Sequence, residues 1–95
     1  MDKSLARKWR SLDLVDVIPR LAVHARPDAS YVPVRDLRSQ RWHVSANGDF
    51  ELLLTGPKFW DARAMIGGGG AVDLTMHIWR CSYRSALRRL LDLNL

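Results

Sequence analysis

With 95 residues, 47% of them apolar, the chain is long enough for one small domain with its own hydrophobic core and too apolar for a disordered segment. Its single cysteine, Cys81, excludes an intrachain disulfide and a four-cysteine zinc site, and no apolar run is long enough to span a bilayer. The formal net charge of +5 directs attention to acidic partners.

That charge is uneven. In residues 1–10, Lys3, Arg7, Lys8 and Arg10 stand against Asp2 alone, and in residues 79–95, Arg80, Arg84, Arg88 and Arg89 stand against Asp92 alone. The middle of the chain is close to neutral. Arginine forks match phosphate oxygens, so clustered arginine at both ends predicts contact with nucleic acid. The alternative is a solvated helix face and a basic tail that only aids solubility. The first residues lack the apolar stretch and small-residue cleavage site of a secretory leader, which predicts a cytoplasmic protein.

In chain order, residues 1–10 read as a basic N-terminal arm or short helix, with Leu5 and Trp9 one turn apart. Residues 11–95 read as a single module. Ser11 is placed to cap a helix over Leu12–Ile18, and Pro19 should end it or kink it near Ile18. Arg26-Pro27-Asp28-Ala29-Ser30 has turn chemistry, and Tyr31–Val34 is at most an edge segment because of Pro33. The clearest hairpin spans about 41–54. Trp42 and Val44 share a face, Asn47-Gly48 suits a type I′ turn, and Phe50, Leu52 and Leu54 share a face on the return strand. Lys58–Asp61 is a short third strand.

Gly67-Gly68-Gly69-Gly70 reads as a sharp turn, because glycine in a strand or helix costs roughly 0.5–1 kcal/mol per residue. A helix over Ala71–Trp79 follows. Ser82 then caps a last helix in which Tyr83, Ala86, Leu87, Leu90 and Leu91 hold apolar spacing, with Arg84, Arg88 and Arg89 on the other side. The expected core is Trp42, Phe50, Trp60, Ile66, Leu74, Ile78 and Leu87. The fold class is α+β, a small antiparallel sheet with one N-terminal and two C-terminal helices.

The stretches Trp42-His43-Val44-Ser45, Phe59-Trp60-Asp61, Gly67 to Leu74, and Ser82 to Leu90 together resemble the N-terminal zinc-binding domain of bacterial DNA primases and primase-like proteins of plasmids and mobile elements. The resemblance covers residues 12–94 and is most specific over 67–91. It implies a zinc-ribbon-like sheet joined to the final helices by the glycine turn. It also implies a setting in replication or priming. The family holds zinc with a Cys-x-x-His pair before the hairpin and a Cys-x-x-Cys pair before the glycines. Here Val34–Ser39 has neither cysteine nor histidine, and Asp61-Ala62-Arg63-Ala64 has no thiolate. His24, His43, His77 and Cys81 are not at ligand spacing, so the expected ribbon is metal-free and held by packing.

Catalytic chemistry is not expected. Asp61 and Asp73 read as isolated carboxylates in a turn and an early helix position, and Cys81 has no activating histidine motif. The glycine run lacks the Gly-Lys-Ser/Thr ending of a phosphate loop, and no cofactor is implied. Single-stranded nucleic acid, DNA above all, is the expected partner, held by cations beside stacking aromatics. The candidate contacts are Lys3, Arg7, Lys8, Arg10, Arg41, Trp42, Lys58, Trp60, Arg63, Arg80, Arg84, Arg88 and Arg89. The other reading is an adaptor or inhibitor docked on a polymerase, primase or helicase, since tryptophan and arginine also dominate protein interfaces.

Overall fold

The computed structural model describes residues 3–95. Four helices and five strands follow one another as α1 (Lys3–Ser11), α2 (Leu14–Leu21), β1 (His24–Pro27), β2 (Gln40–Ala46), β3 (Gly48–Thr55), β4 (Lys58–Asp61), β5 (Ile66–Gly69), α3 (Gly70–Trp79) and α4 (Tyr83–Asp92). The strands form one antiparallel meander in the order β1-β2-β3-β4-β5. The fold is α+β, as expected, with more sheet and one more helix than the sequence reading supplied.

Strand alternation divides the sheet into two faces. Trp42, Val44, Phe50, Leu52, Leu54 and Phe59 are buried on one face, against Leu14, Ile18, Leu74 and Ile78 of the helices. Among the described residues, no helix is seen to pack on the opposite face. Across it run Arg41, Leu53, Trp60 and Gly67, aligned on neighbouring strands.

Several expectations are corrected. Over its described part, the basic stretch 1–10 is the short helix rather than an arm. Lys3–Ser11 is helical, Trp9 is 1% exposed, and the Trp9 indole N–H donates to the Leu95 carbonyl at 3.3 Å. Met1 and Asp2 lie outside the described residues. Ser11 ends α1, and the cap of α2 is Asp13, whose carboxylate accepts from the Val15 N–H at 3.4 Å. Pro19 lies inside α2, which continues to Leu21. Its ring sits near the end of a two-turn helix, where only one intrahelical bond is lost, and the Ala22 N–H still reaches the Ile18 carbonyl at 3.0 Å. Arg26-Pro27 closes strand β1 instead of opening a turn, which the missing proline N–H permits on a sheet edge.

The hairpin turn is not type I′, because Gly48 has positive φ and Asn47 does not. Asn47 is instead tied to the end of α3: its N–H reaches the Ile78 carbonyl at 3.0 Å and its side-chain amide the Trp79 carbonyl at 3.2 Å. The final helices lie where the sequence places them, but the expected apolar face of α4 is buried only in part. The Ser82 hydroxyl caps α4 by accepting from the Ser85 N–H at 3.2 Å, and Ala86 and Leu90 are buried. Tyr83 and Leu91 are exposed, and Leu87 is half-buried.

The glycine run holds the largest correction. Ile66–Gly69 is a strand, and only Gly70 takes positive φ, at 88°, as α3 begins. A Cβ on Gly67 would lie 2.8 Å from Trp60 Cε3, and one on Gly68 would lie 2.8 Å from Phe59 Cε1. The two glycines let an aromatic ring press against β5 on each face of the sheet. That contact offsets the propensity cost of glycine in a strand. It also inverts the expected core: Phe59 is buried at 5% exposure, while Trp60, at 40%, and Ile66, at 49%, face solvent.

Candidate nucleic-acid interface

The open face of the sheet has two halves of different electrostatic character. Toward β1, its charges are paired. Arg41 donates from Nε and Nη2 to Asp28 at 2.9 and 2.6 Å and lies 5.4 Å from the Tyr31 ring centre. His43 stands 3.9 Å from Asp28 and 3.4 Å from Glu51, and Arg63 reaches Glu51 at 3.3 Å. The Asp28 carboxyl is held well below the usual carboxylate range by the Ser30 hydroxyl first and the Arg41 guanidinium next. Such a network leaves little net charge to attract phosphate.

Toward β4, the face becomes a groove of about 590 Å³. The loop between β1 and β2 folds beside β3 and β4, so that Arg35 and Arg38 face Leu53, Thr55, Lys58 and Trp60. Arg38 is anchored by Asp36 through two side-chain bonds at 3.2 and 2.9 Å, and it lies close to Gly56 in the β3–β4 turn. Asp36 is correspondingly held below its ordinary pKa, by the Arg38 side chain first. Among the described residues, Arg35 and Lys58 make no ion pair. Trp60 forms the aromatic wall. An exposed indole beside two uncommitted cations is what a base and its flanking phosphates require.

The sequence-derived candidates do not form one surface. Lys58 and Trp60 line the groove, and Arg41 and Arg63 belong to the paired half of the same face. Trp42 is 8% exposed on the inner face, with its indole N–H given to Gln40 Oε1, and is thereby removed from any stacking surface. Lys3, Arg7, Lys8 and Arg10 on α1, with Arg84, Arg88 and Arg89 on α4, belong to the helical layer on the other side of the sheet. The Arg89 guanidinium packs 3.8 Å from the Trp79 ring centre. Arg80 caps α3 in the left-handed region at φ 51° and reaches over Phe50, at the rim of the sheet. Sequence reasoning missed Arg35 and Arg38. The signal available was two arginines three residues apart in Val34-Arg35-Asp36-Leu37-Arg38, a segment with neither cysteine nor histidine.

Asp61 is not isolated. It is 3% exposed, its Oδ1 accepts from the Arg63 and Ala64 N–H groups at 3.0 and 3.2 Å, and its Oδ2 lies 2.7 Å from His77 Nε2. Burial acts to raise its pKa, but the His77 contact and the two turn amides outweigh it and hold the carboxyl below its ordinary value. The His77 ring in turn packs between Phe50 and Phe59, with centroids 5.4 and 5.3 Å away. The pair ties the β4–β5 turn to α3. Among the described residues, no three His, Cys, Asp or Glu side chains converge to hold a metal, and no helix is long and apolar enough to cross a membrane.

Comparison with known proteins gives little beyond this geometry. No family model matches the chain, and no solved structure does. The chain is similar to the "65 kDa protein" of Zymomonas mobilis subsp. mobilis, 32% identical over 93 residues that take in 94% of this chain. It spans only 14% of that relative's length.

Proposed function

We propose that the chain is a non-catalytic module that binds single-stranded nucleic acid, DNA in particular, along the groove on the open sheet face. The observation that carries this reading is the exposed Trp60 ring beside the uncommitted Arg35 and Lys58. A base stacks on the indole, and the neighbouring phosphates meet the two cations, so the contact tolerates any sequence. Arg38, steered by Asp36, lines the same wall. The resemblance to primase zinc-binding domains favours a cytoplasmic role in replication or priming of a plasmid or mobile element. No cofactor is invoked.

The test is fluorescence polarisation with a labelled single-stranded oligonucleotide at several salt concentrations. Binding tighter than about 1 µM with a steep salt dependence supports the reading. A second reading, docking on a polymerase, primase or helicase, is favoured by the apolar tip of the β1–β2 loop, where Val34 is 89% and Leu37 86% exposed. Absence of oligonucleotide binding, together with co-purification of such a protein, supports the second.

A further inference from the structure

The sheet stops one strand short of the helix beneath it. α3 runs under β5 in the opposite sense. Asp73 accepts from the Gly69 N–H at 3.3 Å, and one turn later His77 meets Asp61, the residue paired with Ile66. Past the edge, a flank of α3 is only partly covered, and Asp73 at the Gly69 end, with Met76, Arg80 and Cys81 beyond it, joins Ile66 and Gly67 in lining a groove of about 370 Å³.

The backbone of β5 is prepared for a neighbour. In antiparallel pairs, residues alternate between those that exchange both backbone bonds with the partner and those that face away from it. Gly69 gives its N–H to Asp73 and not to β4, so Gly67, two residues earlier, turns its N–H and C=O outward. Natural edges are blunted by lysine, proline or a bulge. β5 has no lysine or proline, and beside it Met65 is 72% and Ile66 49% exposed. Arg80, at the Ile66 end of the groove, makes no ion pair among the described residues; its guanidinium rests over Phe50 and beside Gly48, and a strand added at β5 meets it once that long side chain turns outward.

We infer that this groove is a peptide-binding site, in which an extended segment of another protein adds to β5 as a sixth, antiparallel strand. Its inward side chains are apolar over Met76 and Cys81, and acidic at its C-terminal end, where an antiparallel strand arrives at Arg80. Main-chain bonds to Gly67 supply affinity, and the alternate side chains supply selection. A second copy of this chain fits less well. Its own β5 would offer Ile66 and Gly68 to the groove, leaving the space over Met76 largely unfilled, and it brings no acid to Arg80. The excess positive charge of the chain, +5, favours an acidic segment. This inference concerns the edge of the sheet and stands independently of the open-face groove.

The experiment is an NMR titration of the whole chain with a capped hexapeptide, Thr-Val-Thr-Val-Thr-Asp, and with the same peptide ending in lysine. The expected result is a saturable shift and exchange protection of the Gly67 amide by the aspartate peptide, with a dissociation constant below about 1 mM. The lysine peptide should bind at least about tenfold more weakly, and Arg80→Glu should reverse the order. No shift at Gly67, or equal binding of the two peptides, overturns the inference. So does a peptide-free chain that sediments as a dimer with the Gly67 amide already protected, since a second copy then holds the edge.

Discussion

The Trp60 ring rests against Gly67, so closely that a methyl group on that glycine would lie 2.8 Å from Cε3. One contact thereby explains both the glycine in the strand and the exposed indole. The glycine removes the side chain that would otherwise stand where the ring lies, and the ring covers backbone that glycine leaves bare. The pair builds a flat aromatic surface near the β5 edge of the open sheet face, beside Leu53.

Replacing Trp60 by alanine should therefore separate binding from folding. The indole is 40% exposed and lies outside the buried cluster, so thermal unfolding should change little. Loss of one base–aromatic stack should weaken oligonucleotide binding by about 1–3 kcal/mol, and Trp60→Phe should recover part of it. Calorimetric melting together with polarisation titrations checks both.

Gly67→Ala and Gly68→Ala should fail in different ways. At Gly67 the new methyl meets the exposed Trp60 ring at 2.8 Å and the Phe59 carbonyl oxygen at 3.3 Å, so binding falls as the ring is displaced, with a smaller loss of stability than at Gly68. At Gly68 it meets Phe59 Cε1 and Cζ at 2.8 and 2.9 Å, and Phe59 is buried. Overpacking there should cost about 1–3 kcal/mol, read from denaturant midpoints.

Asp61 and His77 should be coupled in stability. Asp61→Ala leaves His77 and two turn amides without their acceptor and should cost about 3 kcal/mol, the scale of breaking a buried pair. Asp61→Asn keeps an acceptor and should cost less. A double-mutant cycle with His77→Ala measures the coupling.

Acid should weaken the fold in a defined direction. Asp28, Asp36 and Asp61 all have folded pKa values below the ordinary carboxylate range. The unfolded chain then binds more protons than the folded one near pH 4, so stability rises with pH through that range. The contribution is complete above about pH 5 and is lost as pH falls through the folded values. Melting temperatures measured from pH 3 to pH 7 should fall at the acid end, less steeply in Asp61→Asn.

The helices at the end of the chain were the most legible part of the sequence, because Ser82 caps locally and the apolar spacing of α4 is long enough to read. The hairpin was also legible, but its turn type was not, since Asn47 answers to α3 rather than to its own dihedral preference. Adjacent aromatics in β4 gave no local basis for choosing which one is buried. That choice is made by two glycines on the next strand. Glycine propensity argued for a turn, and packing against Phe59 and Trp60 overrode it. Trp9 meets Leu95 at the opposite end of the chain, a contact that no window of sequence contains. The abundance of basic residues is plain in the composition, but their division between two sides of a sheet depends on the register of strands, which composition does not carry.

The most direct test of the open-face groove is an NMR titration of the chain with a single-stranded oligothymidylate, following backbone amides and the tryptophan indole N–H resonances. The account predicts perturbation of the Trp60 indole and of the Arg35 and Lys58 amides, with Arg84 and Arg88 left unchanged. Perturbation confined to α1 and α4, with Trp60 silent, would contradict it and assign the nucleic acid to the helical arginines.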